Sequence, residues 1–276
     1  MKSALDRLQQ EIYTPGHQKQ IDDAEWGRFT ANCVVALMAG GEGARFKGVS
    51  DPHSLQKNSM VLPSGDTMIE RTIRMYRDAG FKSFVALVFH SADSIQNLLG
   101  DGSRLGVKIV YSHDPERPVG KGGAMRNALE NGSIAVDKTC IVHNPDDQII
   151  NYEGSFPRDI VAAHLAGTQR GMIATVAVAD GTPYAYTGMK IVAGVVSETQ
   201  MYPHIPIPAH IGVTVFAPPA YEYFTRLFDL TKKADFESIL FPLLAQEKKL
   251  YSFGIPGSCW LPVNDQKSLA KLIALV

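Results

Sequence analysis

Residues 33–39 (CVVALMA) are apolar without interruption and lead directly into Gly40-Gly41-Glu42-Gly43-Ala44-Arg45. A short, wholly apolar run has no polar face to offer water. It suits a strand covered on both sides, which is the situation of a parallel sheet with helices above and below. The glycines that follow let the chain turn sharply and leave backbone N–H groups free of side-chain cover.

The same grammar repeats downstream. A helical pattern over 67–79 carries Met68, Ile69, Ile73 and Tyr76 on one face and stops at Gly80. Apolar strands are expected at 84–89, 107–111, 139–143 and 172–179, with helices near 92–99, 122–130 and 158–168 between them. Strand–helix alternation at this interval predicts an α/β fold with a mostly parallel, doubly wound sheet. After residue 180 the texture changes: strand-like runs at 190–196 and 210–216, prolines between 203 and 208, helices over 218–230 and 235–246, a strand near 250–253 and a terminal helix from 265. The reading is one domain over 32–276 with a small β extension, preceded by a helical arm over 1–31.

Composition narrows the functional classes. A net charge of −1 gives no field to attract nucleic acid or an anionic membrane. No apolar run approaches the roughly 20 residues of a membrane span, and the first residues lack a signal-peptide core. Cys33, Cys140 and Cys259 show no paired spacing and read as buried thiols, which suits a reducing, cytoplasmic compartment.

The glycine loop is neither a Walker loop, for no Gly-Lys-Ser/Thr follows, nor the dinucleotide GxGxxG, since Phe46 occupies the last position. Backbone amides with the guanidinium of Arg45 still form a device suited to a polyphosphate. On the residues alone a plain turn stays open, as do a surface arginine and a solvated Lys57.

Taken in order, the motifs resemble those of the sugar-1-phosphate nucleotidyltransferases, which make NDP-sugars. The resemblance runs over about residues 33–272. It is carried by the GGEGAR loop, by Lys57 with Pro63, Gly65 and Met68-Ile69-Glu70, and by Gly100-Asp101-Gly102-Ser103 before Val107. Gly120-Lys121-Gly122-Gly123-Ala124, His143-Asn144-Pro145-Asp146, Ile211-Gly212-Val213, Phe236-Glu237 and Trp260-Leu261 continue it. The resemblance implies a Rossmann-like sheet flanked by helices, with its β extension on the sugar side. It implies that a nucleoside triphosphate and a sugar 1-phosphate condense with release of pyrophosphate, aided by Mg²⁺. Ala39, Gly40, Gly41, Glu42, Gly43, Ala44, Gly122 and Gly123 would then hold the nucleotide. Arg45, Lys57 and Asp146 would be catalytic, Gly188, Glu198 and Gly212 would meet the sugar, and Asp146 with Asn264 would bind the metal.

The chain departs from the family pattern in four places. Gln56 replaces a proline before Lys57, and Pro145 replaces the glycine before Asp146, leaving Asp147 as a rival ligand. Pro262 replaces the second metal aspartate, for which Val263-Asn264 offers a substitute, with Asp265 beside it. Thr199 stands where several members carry a lysine for the sugar phosphate. These gaps leave open a catalytically silent NDP-sugar-binding regulator, or a glycosyltransferase of related fold. The base and the sugar are unassigned, with a mild lean to a pyrimidine from the resemblance, and the arm is a candidate contact for a homo-oligomer.

Overall fold

The computed structural model describes residues 2–42 and 57–276. From the N-terminus come helices α1 (Lys2–Ile12) and α2 (Asp23–Ala31), strand β1 (Cys33–Ala39), helix α3 (Met68–Asp78) and strand β2 (Ser83–Val88). Helix α4 (Ala92–Leu99), strand β3 (Lys108–His113), helix α5 (Gly120–Glu130), strands β4 (Thr139–His143) and β5 (Asp147–Ile149) and helix α6 (Phe156–Thr168) follow. Next are strands β6 (Ala174–Ala179), β7 (Thr182–Pro183), β8 (Thr187–Val192), β9 (Val195–Met201), β10 (His204–Ile205) and β11 (Ala209–Phe216). Helices α7 (Tyr221–Leu227) and α8 (Phe236–Gln246), strands β12 (Leu250–Ile255) and β13 (Trp260–Pro262) and helix α9 (Gln266–Ile273) complete the order.

Among the described residues the central sheet has the order β12-β6-β11-β4-β1-β2-β3. All neighbours run parallel except β11, which lies antiparallel to both β4 and β6. The mostly parallel α/β sheet expected from the sequence is therefore present. Alternate residues of β1 point to opposite faces. Cys33, Val35, Leu37 and Ala39 join one buried cluster with Ile69, Ile73 and Ile160, while Val34 and Ala36 join a second with Met125, Phe224 and Leu240. Each fully buried aliphatic side chain stabilises the fold by about 1.5–3 kcal/mol relative to exposure. An uninterrupted apolar strand is what two such clusters require.

The chain leaves β1 toward β2 and β3, then returns to place β4 on the other flank of β1. Such a reversal opens a crevice beyond the carboxyl ends of the strands, the usual ligand position in open α/β sheets.

The run expected as one strand over 190–196 is instead the tip of a hairpin. The chain reverses at Ala193 and Gly194, at φ 48° and 83°, and Val192 pairs with Val195. Two positive φ values match the twist of a tight hairpin, and glycine satisfies that demand where the flanking valines could not. Strands β7 to β10 thus form a ribbon outside the central sheet, with β8 and β9 almost wholly exposed.

The N-terminal residues lie against the same body. Trp26 Nε1 donates to the Ala79 carbonyl at 2.9 Å, and its ring meets Phe81 edge-on. Lys19 N donates to the Ala162 carbonyl at 3.1 Å, and Tyr251 Oη donates to the His17 carbonyl at 3.0 Å. Tyr13 packs on Gly254, so the segment between α1 and α2 runs across β12, the outermost strand. No helix among the described residues is long and apolar enough to cross a membrane.

Candidate active site

A cavity of about 500 Å³ opens at the switch point. Its wall takes Gly40, Gly41 and Glu42 from the end of β1, His90 from beyond β2, Asp114 from the end of β3 and Asn144 with Asp146 from beyond β4. Lys57 and Asn58 close one side, and Pro118, Gly120, Lys121, Lys233 and Asp235 the other.

The turn after β4 explains Pro145. Asp147 N donates to the Asn144 carbonyl at 2.9 Å, making Asn144 to Asp147 a four-residue turn with proline in its second place. Proline's fixed φ favours that position. The third residue, Asp146, lines the cavity and forms an ion pair with Lys57. Gln148 anchors the turn: its Nε2 donates to the Pro145 carbonyl at 2.6 Å and to the Met68 carbonyl at 3.2 Å.

Asp147 is held differently. Trp260 Nε1 donates to its Oδ1 at 2.9 Å and Asn144 Nδ2 to its Oδ2 at 3.0 Å. Desolvation, then the Asp146 charge, push its carboxyl up from the usual range. Beneath the turn lies His143, whose Nε2 meets the Asp147 carbonyl at 2.9 Å and whose Nδ1 meets Tyr76 Oη at 3.0 Å. A carbonyl only accepts, so Nε2 carries the proton and Nδ1 accepts from the tyrosine. Burial lowers this histidine to about 4, which keeps the ring neutral.

The structure brings Gly40, Gly41, Glu42, Lys57 and Asp146 to one cavity, with Ala39 fully buried at the strand end behind them. Gly43, Ala44 and Arg45 lie outside the described residues. Gly122 and Gly123 do not line the cavity: a Cβ at the first would collide with the Phe228 ring and at the second with Val119. Their smallness serves the packing of α5, and their neighbours Gly120 and Lys121 face the space instead. Gly212, at φ 71°, sits against the carboxylate of Asp147 and the amide of Asn144. Gly188 and Glu198 lie on the exposed ribbon away from the cavity wall, Gly188 paired with Gln200 and Glu198 bridged to Lys190 at 2.7 Å. Asn264 follows Val263, whose N–H donates to the Asp146 carbonyl at 2.8 Å, so the two proposed metal positions are neighbours through the main chain.

Sequence reading missed Asp114 and His90, and quoted Asn144 in a motif without giving it a role. Single polar residues just past strand ends carry no periodic signal, and only the parallel register brings them to one rim. Lys121 is more constrained than the motif suggested. Its N–H donates to Asp235 Oδ1 at 2.8 Å and its ammonium pairs with Glu237.

Gly40 and Gly41, the Lys57–Asp146 pair and a crevice of about 500 Å³ thus meet beyond the strand ends of an α/β sheet. The nucleotidyl transferase family model matches residues 34–275, and the chain belongs to this family. No curated sequence matches the chain at a significant level. Solved structures share its fold at low identity. One is a Bacillus anthracis protein assigned as a glucose-1-phosphate thymidylyltransferase, solved with a sucrose, at 16% identity and TM-score 0.65, covering 88% of this chain and 94% of that one. HddC from Yersinia pseudotuberculosis is similar at 18% identity and TM-score 0.61, covering 87% of this chain and 98% of that one. A UDP-glucose pyrophosphorylase complexed with UDP-glucose matches at 14% identity and TM-score 0.62, over 87% and 97%.

Proposed function

We propose that this chain condenses a nucleoside triphosphate with a sugar 1-phosphate, giving an NDP-sugar and pyrophosphate. The observation that carries the reading is the pairing of Lys57 with Asp146, residues 89 apart in sequence, beside the backbone of Gly40 and Gly41. An ammonium and a carboxylate beside Gly40 and Gly41 serve opposite ends of one task, gripping phosphate and gripping the cation that accompanies it.

The reaction is attack of a sugar phosphate oxygen on the α-phosphorus, with pyrophosphate leaving. It calls for alignment and for charge neutralisation more than for covalent help. The amides around Gly40 and Gly41 receive phosphate oxygens without a Cβ in the way, and Arg45 is proposed to add a guanidinium to them. Lys57 turns its ammonium from Asp146 to the phosphates when substrate enters, neutralising charge at the reacting centre. Asn144 and Trp260 fix Asp147, which with Gly212 holds the turn in shape, so that Asp146 is presented to the cavity without freedom to swing.

The donor set fits magnesium. Among the described residues no group of three or more His, Cys, Asp or Glu could cage a metal, while Asp146 is the cavity carboxylate that stands beside Lys57. Mg²⁺ commonly takes one or two carboxylates, substrate phosphates and retained water. Asp146 would hold it, with Asn264 as second ligand, and when bound it supplies charge neutralisation on the phosphates. On this reading Gly188, Glu198 and Gly212 meet the sugar, the ribbon of β8 and β9 approaching as the acceptor binds.

The test is pyrophosphate release on mixing the protein, Mg²⁺, a nucleotide panel and a sugar 1-phosphate panel. Turnover that EDTA abolishes is the expected result. Tight NDP-sugar binding with no turnover across the panel would replace the reading with that of a regulator.

A further inference from the structure

The cavity is longer than the phosphate site needs. Its floor is the row of strand ends β4, β1, β2 and β3, in that order, and neighbouring strands lie about 4.8 Å apart, so it spans roughly 14 Å. Lys57 and Asp146 stand at the β4 end. At the β3 end stands Asp114, directly after His113, the last residue of that strand. On the nucleotide reading, with phosphates held beside Gly40, Gly41 and Lys57, the rest of the cavity toward β3 is left for the nucleoside.

Asp114 is half-buried, and its side chain has one hydrogen bond among the described residues: Val119 N donates to Oδ2 at 3.1 Å. No lysine or arginine within the described residues pairs with it. Burial raises its carboxyl above the usual range, and only the Val119 bond and the nearby His90 and His113 oppose this. A carboxylate kept on a cavity wall at that cost, with Oδ1 unassigned, is set to accept N–H donors from whatever fills the space.

The four common bases differ in what they offer such a group. Guanine presents two adjacent donors, N1–H and the N2 amine, a match for the two oxygens of a carboxylate. Adenine and cytosine offer one exocyclic amine beside a ring nitrogen acceptor. Uracil and thymine offer one N–H between two carbonyls, whose lone pairs would face the carboxylate.

Resting on the nucleotide reading above, we propose that Asp114 determines base selection, and that the preferred donor is a guanine nucleotide. This departs from the pyrimidine lean that the family resemblance gave. The rival account of Asp114 is local: it caps the 114–119 loop through Val119. Asp114→Asn separates the two, because the amide oxygen still accepts from Val119 while the second acceptor becomes a donor.

The experiment is calorimetric titration of the whole protein with Mg²⁺ and each of GTP, ATP, CTP, UTP and dTTP, for wild type and for Asp114→Asn, alongside turnover on the same panel. Expected is GTP binding about 10- to 100-fold tighter than UTP in the wild type, a bidentate contact being worth that much discrimination. The variant loses most of the difference while keeping its melting temperature. Preference for any other base overturns the inference, as does no nucleotide binding, or a guanine preference that Asp114→Asn leaves intact. Turnover with UTP in place of GTP sinks the inference alone. Guanine binding that depends on Asp114, with no turnover, sinks the proposed reaction alone. Should the variant unfold, the wild-type preference still decides.

Discussion

Gly212 and Asp147 meet at the junction of β11 with the turn beyond β4. The glycine backbone, at φ 71°, closes on the carboxylate so tightly that a methyl group there would overlap Oδ2. Gly212→Ala adds a left-handed alanine and a steric overlap beside the turn that presents Asp146. The expected cost is about 2–4 kcal/mol of folding stability, read from the urea midpoint. Turnover should fall further than Tm accounts for, because the turn itself is displaced.

Lys57→Ala and Asp146→Ala are each expected to lower turnover by at least ~100-fold, the scale of losing a charge partner in the transition state. Steady-state kinetics over a magnesium series checks this, with Asp146→Ala also raising the magnesium requirement. Near-normal activity in Asp146→Ala would move the metal role to Asp147. Asn264→Ala with an unchanged magnesium response would remove that residue from the site.

Gly122→Ala places a methyl group into the Phe228 ring. Overpacking of this kind costs about 1–3 kcal/mol, so chemical denaturation should register it. Nucleotide affinity of the folded fraction should change little, since the residue does not line the cavity. A large loss of affinity with stability intact would return Gly122 to the nucleotide contacts.

His164 is buried against Thr175, 3.0 Å from Nδ1 to Oγ1, and burial lowers it from 6.5 to about 4. Between those values the unfolded chain binds a proton that the folded chain refuses, so stability rises with pH across this window and falls on acidification. One such histidine accounts for about 3 kcal/mol between pH 6.5 and 4 at most. His164→Gln should flatten the urea-midpoint profile over that range, and an unchanged slope would mean that the ring gains its proton without unfolding.

What the sequence revealed follows from which forces act locally. Strand β1 was legible because burial on both faces leaves a run of apolar residues that no helix stripe or turn imitates. Helix α3 was legible through the helical spacing of Met68, Ile69, Ile73 and Tyr76 and the stop at Gly80; its capping box, in which Thr67 N donates to Glu70 Oε2 at 2.8 Å and Glu70 N to Thr67 Oγ1 at 3.3 Å, emerges only from the structure. The hairpin tip was not, since Ala193-Gly194 lacks the asparagine or aspartate that usually marks such turns. A glycine that lets a base approach and a glycine in a tight helix contact look alike in sequence, and at Gly122 and Gly123 it is the positions of Phe228 and Val119 that reveal the tight packing. Asp114 and His90 owe their place to the register of strands dozens of residues distant, which no local pattern encodes.

The strap between α1 and α2 has a consequence for how this molecule stays in solution. Strand β12 ends the sheet, and its outer row of backbone groups would otherwise be a template for a foreign strand. Tyr13 on Gly254 and the Tyr251–His17 bond lay the chain's own N-terminal stretch across that border. Trimming the first thirty-one residues to obtain a leaner enzyme would uncover it, and the product to look for is self-association through β12 rather than a smaller monomer.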